Sequence, residues 1–255
     1  MSENDLAYLE EEKPKKLQFG WFFPIFIRPR RAMAEIAEKN HAVWLAPLLI
    51  LMVSAVVLVL VSAPLVGQAS QGVTQPEMYE YYTPEQQDSF NQAVSMGASP
   101  VMTTVFPLLG KFAGIWIGWF LLGSILHLSL TLNGSRSSNR SSLNVVAWAG
   151  MPFVLRDIVQ IVAILVTKQL ITKPGLSGFM ADGVSGGGAF LGAILAFVDL
   201  YLIWQIVLMG IGAGKVSGMK PIKVWLATLI AMVIFLALKA LPVFLGAQLG
   251  SLAGG

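Results

Sequence analysis

The segment 188–212 constrains the fold more than any other feature of the sequence. It is a continuous apolar run that contains one charged side chain, Asp199. As a single helix it would extend about 36 Å, since each residue adds ~1.5 Å, and this length matches the hydrocarbon core of a bilayer with a small tilt. We therefore predict that this segment crosses a membrane as one helix, with Asp199 near its middle.

The whole chain has the composition of a membrane protein. Hydrophobic residues make up 55% of it and charged residues only 12%, whereas charged residues are about 25% of a typical soluble domain. The mean hydropathy is +0.69. Four further apolar segments are long enough to span a bilayer. The sequence thus predicts an all-α, polytopic integral membrane protein with five transmembrane helices, at about 43–66, 104–132, 143–170, 188–212 and 224–249.

Residues 18–42 combine aromatic and basic side chains, which is typical of a segment at the membrane interface. Aromatic rings favour the headgroup level, and guanidinium groups attract lipid phosphates. We therefore expect Trp21, Arg28, Arg30 and Arg31 to contact lipid.

The N-terminal region before the first span remains in or beside the aqueous phase. Residues 1–17 are polar and predict a mobile cytoplasmic tail. After Pro29, the spacing of Met33 and Ile36 predicts a short amphipathic helix at the interface.

The loop 67–103 carries acidic side chains and no lysine or arginine, and we predict that it is extracytoplasmic. Within it, Thr83 and Gln86 have the spacing of a capping box. This motif predicts a helix that begins after Thr83 and stops at Gly97.

Basic residues are concentrated on one side of the predicted topology. Because cytoplasmic loops are enriched in lysine and arginine, the N-terminus is predicted to be cytoplasmic and the C-terminus extracytoplasmic. The residues that decide this orientation are Lys13, Lys15, Lys16, Arg28, Arg30, Arg31, Lys39, Arg136, Arg140, Lys215, Lys220 and Lys223.

Six charged residues fall within the predicted spans. Lys111 and Lys168 lie near span ends, and Lys111 can extend toward the aqueous phase. The four that lie deeper are Arg156, Asp157, Asp199 and Lys239. Charges at membrane depth usually face the interior of a helix bundle, so we hypothesise that Asp199 pairs with Arg156 or Lys239. Such a network either pins the helices together or contributes to a path for an ion, a proton or a substrate. In the same third span, Pro152 predicts a kink.

Small residues recur at four-residue spacing in two of the spans. Gly110, Gly114 and Gly118 form one such series, and Gly188 and Gly192 form another. This spacing lets two helix backbones approach closely, so both series are predicted to be helix-packing or oligomer surfaces.

Signatures of enzymatic activity are missing from the sequence. It contains no cysteine, which excludes disulfides and thiolate chemistry, and no zinc-protease, serine-hydrolase or phosphate-loop motif. The two histidines, His41 and His127, are too far apart in the sequence to suggest a metal site. We therefore predict a protein that is not an enzyme, with no catalytic residue, cofactor, metal ion or nucleic acid.

Three segments resemble the Yip family of membrane proteins that interact with Rab GTPases, in its prokaryotic branch. These are residues 25–51, 147–155 and 199–224. The resemblance implies five spans, a cytoplasmic N-terminus, no enzymatic activity and a prokaryotic cytoplasmic membrane. The positions that match the family pattern are Pro152, Asp199, Trp204, Gly210, Gly212 and Pro221.

Two functions from different classes remain open at this point. The first is a non-catalytic membrane protein that binds lipid and scaffolds partner membrane proteins or copies of itself. It would act as an accessory component of a membrane complex or export system, or it would organise the membrane. The alternative is a small permease or transporter subunit that uses the buried charges around Asp199. A dry, fully packed bundle centre would favour the scaffold, and a water-accessible cavity that reaches Asp199 from either side would favour transport.

Overall fold

The computed structural model describes residues 17–39, 41–73, 75–76, 78–181 and 186–253. Apart from Leu17, the predicted N-terminal tail therefore lies outside the described residues. The described part is helical and contains no strand. Its helices are α1 (Phe22–Ile27), α2 (Pro29–Ala37), α3 (Leu45–Gln71), α4 (Pro84–Gly97), α5 (Phe106–Leu132), α6 (Asn139–Ala149), α7 (Pro152–Thr167), α8 (Gly187–Leu195), α9 (Leu200–Ser217) and α10 (Pro221–Ala253).

Five helical segments are long and apolar enough to cross a membrane, which confirms the predicted fold class. Among the described residues, the spans are α3, α5 with the turn before it, α6 together with α7, α9, and most of α10. Their bounds are Leu45–Gln71, Val101–Leu132, Asn139–Thr167, Leu200–Ser217 and Pro221–Gly246.

The amphipathic helix α2 packs its apolar face against protein. Met33 and Ile36 are fully buried, and α2 contacts α6 and α9. The three arginines of this region, Arg28, Arg30 and Arg31, are exposed. This division places the charged face of α2 outward at one end of the bundle, and we call this end the basic end because the basic loops that follow α5 and α9 also lie there.

The prediction that Trp21 contacts lipid is wrong. Its side chain is only 8% exposed, because its ring packs edge-on against Trp148 with the centroids 5.5 Å apart. The indole N–H also donates a hydrogen bond of 3.0 Å to Glu35 on α2. Hydrogen bonds from Arg31 and Trp21 lower the pKa of Glu35 below its usual value. Trp21 therefore joins α2 to the bundle.

The first span is longer than the sequence predicts. We expected it to end near residue 66, but α3 continues to Gln71 with Pro64 inside the helix. A proline removes one backbone hydrogen bond, and within a membrane the remaining backbone groups favour a continued helix because no water replaces their partners.

The helix α4 begins as its capping motif predicts. The Thr83 hydroxyl accepts a hydrogen bond from the backbone N–H of Gln86, and the Gln86 side chain accepts one from the backbone N–H of Thr83. The helix ends at Gly97. The predicted helix in this loop is therefore confirmed.

The third span is interrupted where its proline predicts. The helix α6 ends at Ala149, and α7 begins with Pro152 in its first turn. On α6, Asn144 accepts a hydrogen bond from the backbone N–H of Val43 and donates one to the carbonyl of His41. The Trp148 indole donates to the carbonyl of Val43. These bonds fix the chain before the first span against α6.

The fourth span is broken, so the prediction of one continuous helix over 188–212 is wrong. The helix α8 ends at Leu195, and α9 begins at Leu200. Asp199 lies at the break and caps α9, because its side chain accepts a hydrogen bond of 2.8 Å from the N–H of Leu202. Aspartate stabilises a helix more at its N-terminus than in its interior, which gives the break a local cause.

A short turn from the preceding link packs against this break. The N–H of Leu176 donates a hydrogen bond to the carbonyl of Val198. Gly175 lies so close that a Cβ added to it would be 2.7 Å from the same oxygen, and its φ of +60° favours glycine. The link after α7 thus takes the place of the helical hydrogen bond that the break removes.

The bundle is packed at its basic end. Fully buried side chains there come from the start of α3, the end of α5, α6 and the end of α9. They form one continuous apolar core with α2. Representative members are Val43, Leu126, Leu130, Trp148 and Met209. The other end, which carries α4 and the link between α7 and α8, is open, and the functional groups lie toward it.

Candidate functional site

A cavity of about 690 Å³ lies between α3, α5, α7, α9 and α10. Toward the packed half its walls are apolar, whereas toward the opposite end they carry charged and amide side chains. These polar lining residues are Lys111, Arg156, Asp157, Gln160, Gln205 and Lys239. A cavity of this size is typical of a small-molecule site.

The charged residues of the cavity lie in the same outer part of the bundle, because they are at similar distances along their helices from the basic end. Arg156, Asp199 and Lys239 lie 17 or 18 residues from the basic ends of their spans, which is about 26–27 Å at ~1.5 Å per residue. Lys111 lies 21 residues from the basic end of α5, about 32 Å at ~1.5 Å per residue, and is therefore slightly closer to the opposite end than the other three. The sequence therefore brings all four groups to the same outer part of the bundle.

Arg156 lies between the two carboxylates. One of its terminal nitrogens is 3.7 Å from Asp199 Oδ2, and its Nε is 4.0 Å from Asp157 Oδ1. Asp157 also accepts a hydrogen bond of 2.7 Å from the hydroxyl of Ser54 on α3. The structure thus brings together Arg156, Asp157 and Asp199 from the predicted network.

Lys239 reaches the same cavity but does not pair with a carboxylate among the described residues. Its ammonium lies over the ring of Phe197 at 4.3 Å and is 5.9 Å from the centroid of Phe235. A ring face attracts a cation but does not neutralise its charge. Of the two cross-helix pairs considered for Asp199, the structure therefore forms only the one with Arg156.

Lys111 also lines the cavity, and the sequence reasoning did not assign it to the site. Its position near the end of a span suggested a side chain that reaches the aqueous phase. The available signal was its spacing on α5, because Lys111, Gly114 and Gly118 lie on one face of the helix and all three line the cavity.

The glycine series of α5 does not form a close helix contact along its length. A Cβ added at Gly110 or Gly114 would meet no atom within 4 Å, and only Gly118 approaches another helix, where Phe235 lies 3.6 Å away. Gly192 on α8 also meets nothing within 4 Å, and Gly188 is half-buried. The predicted packing role is therefore wrong for Gly110, Gly114 and Gly192 within this chain.

Close helix approach occurs at the glycines of α9 instead. A Cβ added at Gly210 would lie 2.5 Å from the ring of Trp225 on α10, and one at Gly212 would lie 2.6 Å from Met33 on α2. Trp204 packs edge-on against Phe26, with the centroids 5.5 Å apart. These family-pattern positions therefore join α9 to its neighbours.

The remaining family-pattern positions are at helix starts. Pro152 opens α7, Asp199 caps α9, and Pro221 opens α10. The pattern therefore describes how the third, fourth and fifth spans begin and pack.

The model of the Yip1 domain matches residues 23–241. The chain belongs to the Yip1 domain family. This match confirms the resemblance at the level of the family, and it covers all the positions on which the resemblance was based. No curated protein and no solved structure matches the chain.

The Yip1 domain is a membrane domain, which agrees with the five candidate spans and with an integral membrane protein in contact with lipid. The Yip1 family is not known for enzymatic activity. Among the described residues, no group of three or more histidine, aspartate or glutamate side chains could hold a metal ion. In that part of the chain, the cavity and its charged residues remain the strongest candidate for a functional site.

Proposed function

We propose that this Yip1 protein is a non-catalytic membrane protein that binds a small polar ligand in its central cavity, as a permease or as the membrane subunit of a transporter. The observation that carries this proposal is the cavity of about 690 Å³ lined by Lys111, Arg156, Asp157 and Lys239. A scaffold has no need for a cavity beside costly intramembrane charges. The cavity therefore makes transport the first candidate.

The orientation that we propose places the basic end in the cytoplasm of a prokaryotic cell, so that the cavity lies toward the extracytoplasmic side. The distribution of lysine and arginine supports this orientation. Single cysteines at Ser89 on α4 and at Asn139 on α6, both exposed, provide the test. In intact cells an impermeant thiol reagent should label Ser89→Cys and not Asn139→Cys, and the reverse pattern would invert the topology.

The test of the cavity uses two neighbouring positions on α7. Gln160 lines the cavity, whereas Val159 is 54% exposed on the outer surface of the bundle. Because the chain contains no cysteine, each single-cysteine variant gives a signal without background. Both variants are labelled in membranes with a small, charged, impermeant methanethiosulfonate.

Gln160→Cys should react at least about tenfold faster than Val159→Cys, because only a thiol in contact with water ionises to the reactive thiolate. Val159→Cys is the matched control, since it lies at nearly the same depth and faces lipid. Equal and slow labelling of the two variants would mean that water does not enter the cavity, and the proposed transport function would then be wrong.

A second candidate is the scaffolding of partner membrane proteins. It is favoured by the uncovered backbone of α5 at Gly110 and Gly114, which another helix could approach closely. Gly110→Leu should abolish the copurification of partner proteins from native membranes. Gly246→Leu is the control, because that glycine is also uncovered but lies on α10. Equal recovery of partners with both variants would exclude this surface.

A further inference from the structure

We propose that the cavity holds the anionic headgroup of an amphiphile, whose apolar part extends toward the packed half of the bundle. This inference rests on the proposed ligand-binding function and names the chemical class of the ligand. The anionic group is a phosphate or a carboxylate. It is carried either by a membrane lipid or by a single-chain acid from the aqueous side.

The first argument is the charge balance of the site. Three cationic side chains, Lys111, Arg156 and Lys239, face two carboxylates, Asp157 and Asp199. The carboxylates are already engaged: Asp157 accepts from the Ser54 hydroxyl, and Asp199 caps α9. The site therefore retains an excess of positive charge at a depth where an uncompensated charge is costly.

The second argument is that the cations lack close acceptors. Among the described residues, no carboxylate oxygen lies within 4.0 Å of the ammonium of Lys111 or Lys239. The Nε of Arg156 is buried and has no hydrogen-bond partner. A buried donor of this kind carries a free-energy cost unless an acceptor binds there. An anionic group between these side chains would pair with the ammonium groups of Lys111 and Lys239, which lack a carboxylate partner among the described residues.

The third argument is the shape of the cavity below the charges. It continues along α3 past Leu58 and Leu51 to Leu48, and on α5 it reaches Leu122. From Ser62 to Leu48 this wall is about 21 Å long at ~1.5 Å per residue. Leu51, Ile115 and Trp119 in this wall are only partly buried. A hydrocarbon chain would cover this apolar surface, whereas a small inorganic anion would leave it exposed.

An amphiphile in this position would also have the orientation of a lipid in the outer leaflet. The charged level is toward the open end of the bundle, and the apolar wall is toward its middle. Because Gly110 and Gly114 leave the side of α5 uncovered, a chain could enter from the bilayer without displacing a large side chain. The helix α5 therefore determines where both the headgroup and the hydrocarbon chain lie.

The experiment uses the full-length protein purified in a neutral maltoside detergent, with three pairs of probes. Phosphatidylglycerol is compared with phosphatidylcholine, decyl phosphate with decyl maltoside, and decyl phosphate with inorganic phosphate. Binding is measured as the shift in the thermal unfolding midpoint and as an apparent Kd. The first pair tests a membrane lipid as the source, and the second tests a single-chain acid.

We expect an anionic amphiphile to stabilise the wild-type protein more than its neutral counterpart, and inorganic phosphate to have little effect. Lys111→Gln and Lys239→Gln should each weaken binding about tenfold, since loss of one charged contact costs about 1.4 kcal/mol. Lys168→Gln is the matched control, because Lys168 is exposed like Lys111 and Lys239 but lies at the end of α7 and does not line the cavity. It should leave the Kd unchanged.

Each outcome decides the inference. A preference for phosphatidylglycerol alone identifies a membrane lipid, and a preference for decyl phosphate alone identifies a single-chain acid. Equal effects of anionic and neutral amphiphiles on the wild-type protein would overturn the inference, as would inorganic phosphate that matches decyl phosphate. If Gln160→Cys were still labelled rapidly in that case, the ligand-binding function would stand with another ligand. Slow labelling of Gln160→Cys would reject both the amphiphile inference and the ligand-binding function.

Discussion

Replacement of Asp199 separates two roles that the structure gives to one side chain. Its Oδ1 accepts the N–H of Leu202 and caps α9, while its Oδ2 lies 3.7 Å from Arg156. Asparagine caps a helix about as well as aspartate but carries no charge. Asp199→Asn therefore removes the ion pair alone, and Asp199→Leu removes both the pair and the cap.

The distances and exposures give the expected size of each effect. Two charges about 4 Å apart attract by about 4 kcal/mol at an effective dielectric constant of ~20. The side chains of Arg156 and Asp199 are 29% and 18% exposed, so this attraction is partly screened, and neutral asparagine avoids the cost of burying a charge. We expect a loss in the free energy of unfolding of about 1–2 kcal/mol for Asp199→Asn. Loss of the cap adds about 1 kcal/mol for Asp199→Leu.

The assay is equilibrium unfolding in mixed micelles, in which a denaturing detergent is titrated into the purified protein. A double-mutant cycle with Arg156→Gln isolates the ion pair, and its coupling energy should account for most of the Asp199→Asn loss. Wild-type stability in both Asp199 variants would refute the pair and the cap together. Equal losses in the two variants would refute the cap alone.

Three further substitutions test how the bundle is held together. Asn144→Leu should lower the free energy of unfolding by about 2–4 kcal/mol, because the buried N–H of Val43 and the partly buried carbonyl of His41 lose their partners. Chemical unfolding measures this loss, and an unchanged free energy of unfolding would contradict it. Gly210→Ala should cost about 1–3 kcal/mol, since its Cβ would overlap the ring of Trp225, and wild-type stability would show that the ring moves freely. Gly175→Ala should lower the thermal unfolding midpoint and raise the rate of proteolysis in the link after α7. The reason is that its Cβ would contact carbonyl oxygens and its φ is positive. An unaltered proteolytic digest would contradict this prediction.

Much of the fold could be predicted from local patterns in the sequence. The capping box of α4 and the interruption before Pro152 each depend on a few adjacent residues, and the structure confirms both. The proximity of Arg156 and Asp199 was expected for a different reason, namely that charges in a membrane bundle turn toward one another.

The features that the sequence did not predict depend on contacts between distant segments. The break at Asp199 is also stabilised by Gly175 and Leu176, which lie more than 20 residues earlier. Within 188–212 the local sign of the break was Asp199 itself, and the apolar residues on both sides of it favoured a continuous helix. Trp21 has the composition of an interfacial residue but is buried, because its partner Trp148 is on the third span. Periodicity describes one helix at a time and does not identify such partners.

The contacts of α2 impose an order on biogenesis. Met33 of α2 packs against α9 beside Gly212. The apolar face of α2 therefore has no complete partner until the fourth span has been synthesised. At ~5–20 residues per second, that interval is on the order of ten seconds or more. During this time the nascent N-terminal segment must rest on the lipid surface or on the insertion machinery, and its exposed arginines suit that temporary attachment to anionic headgroups.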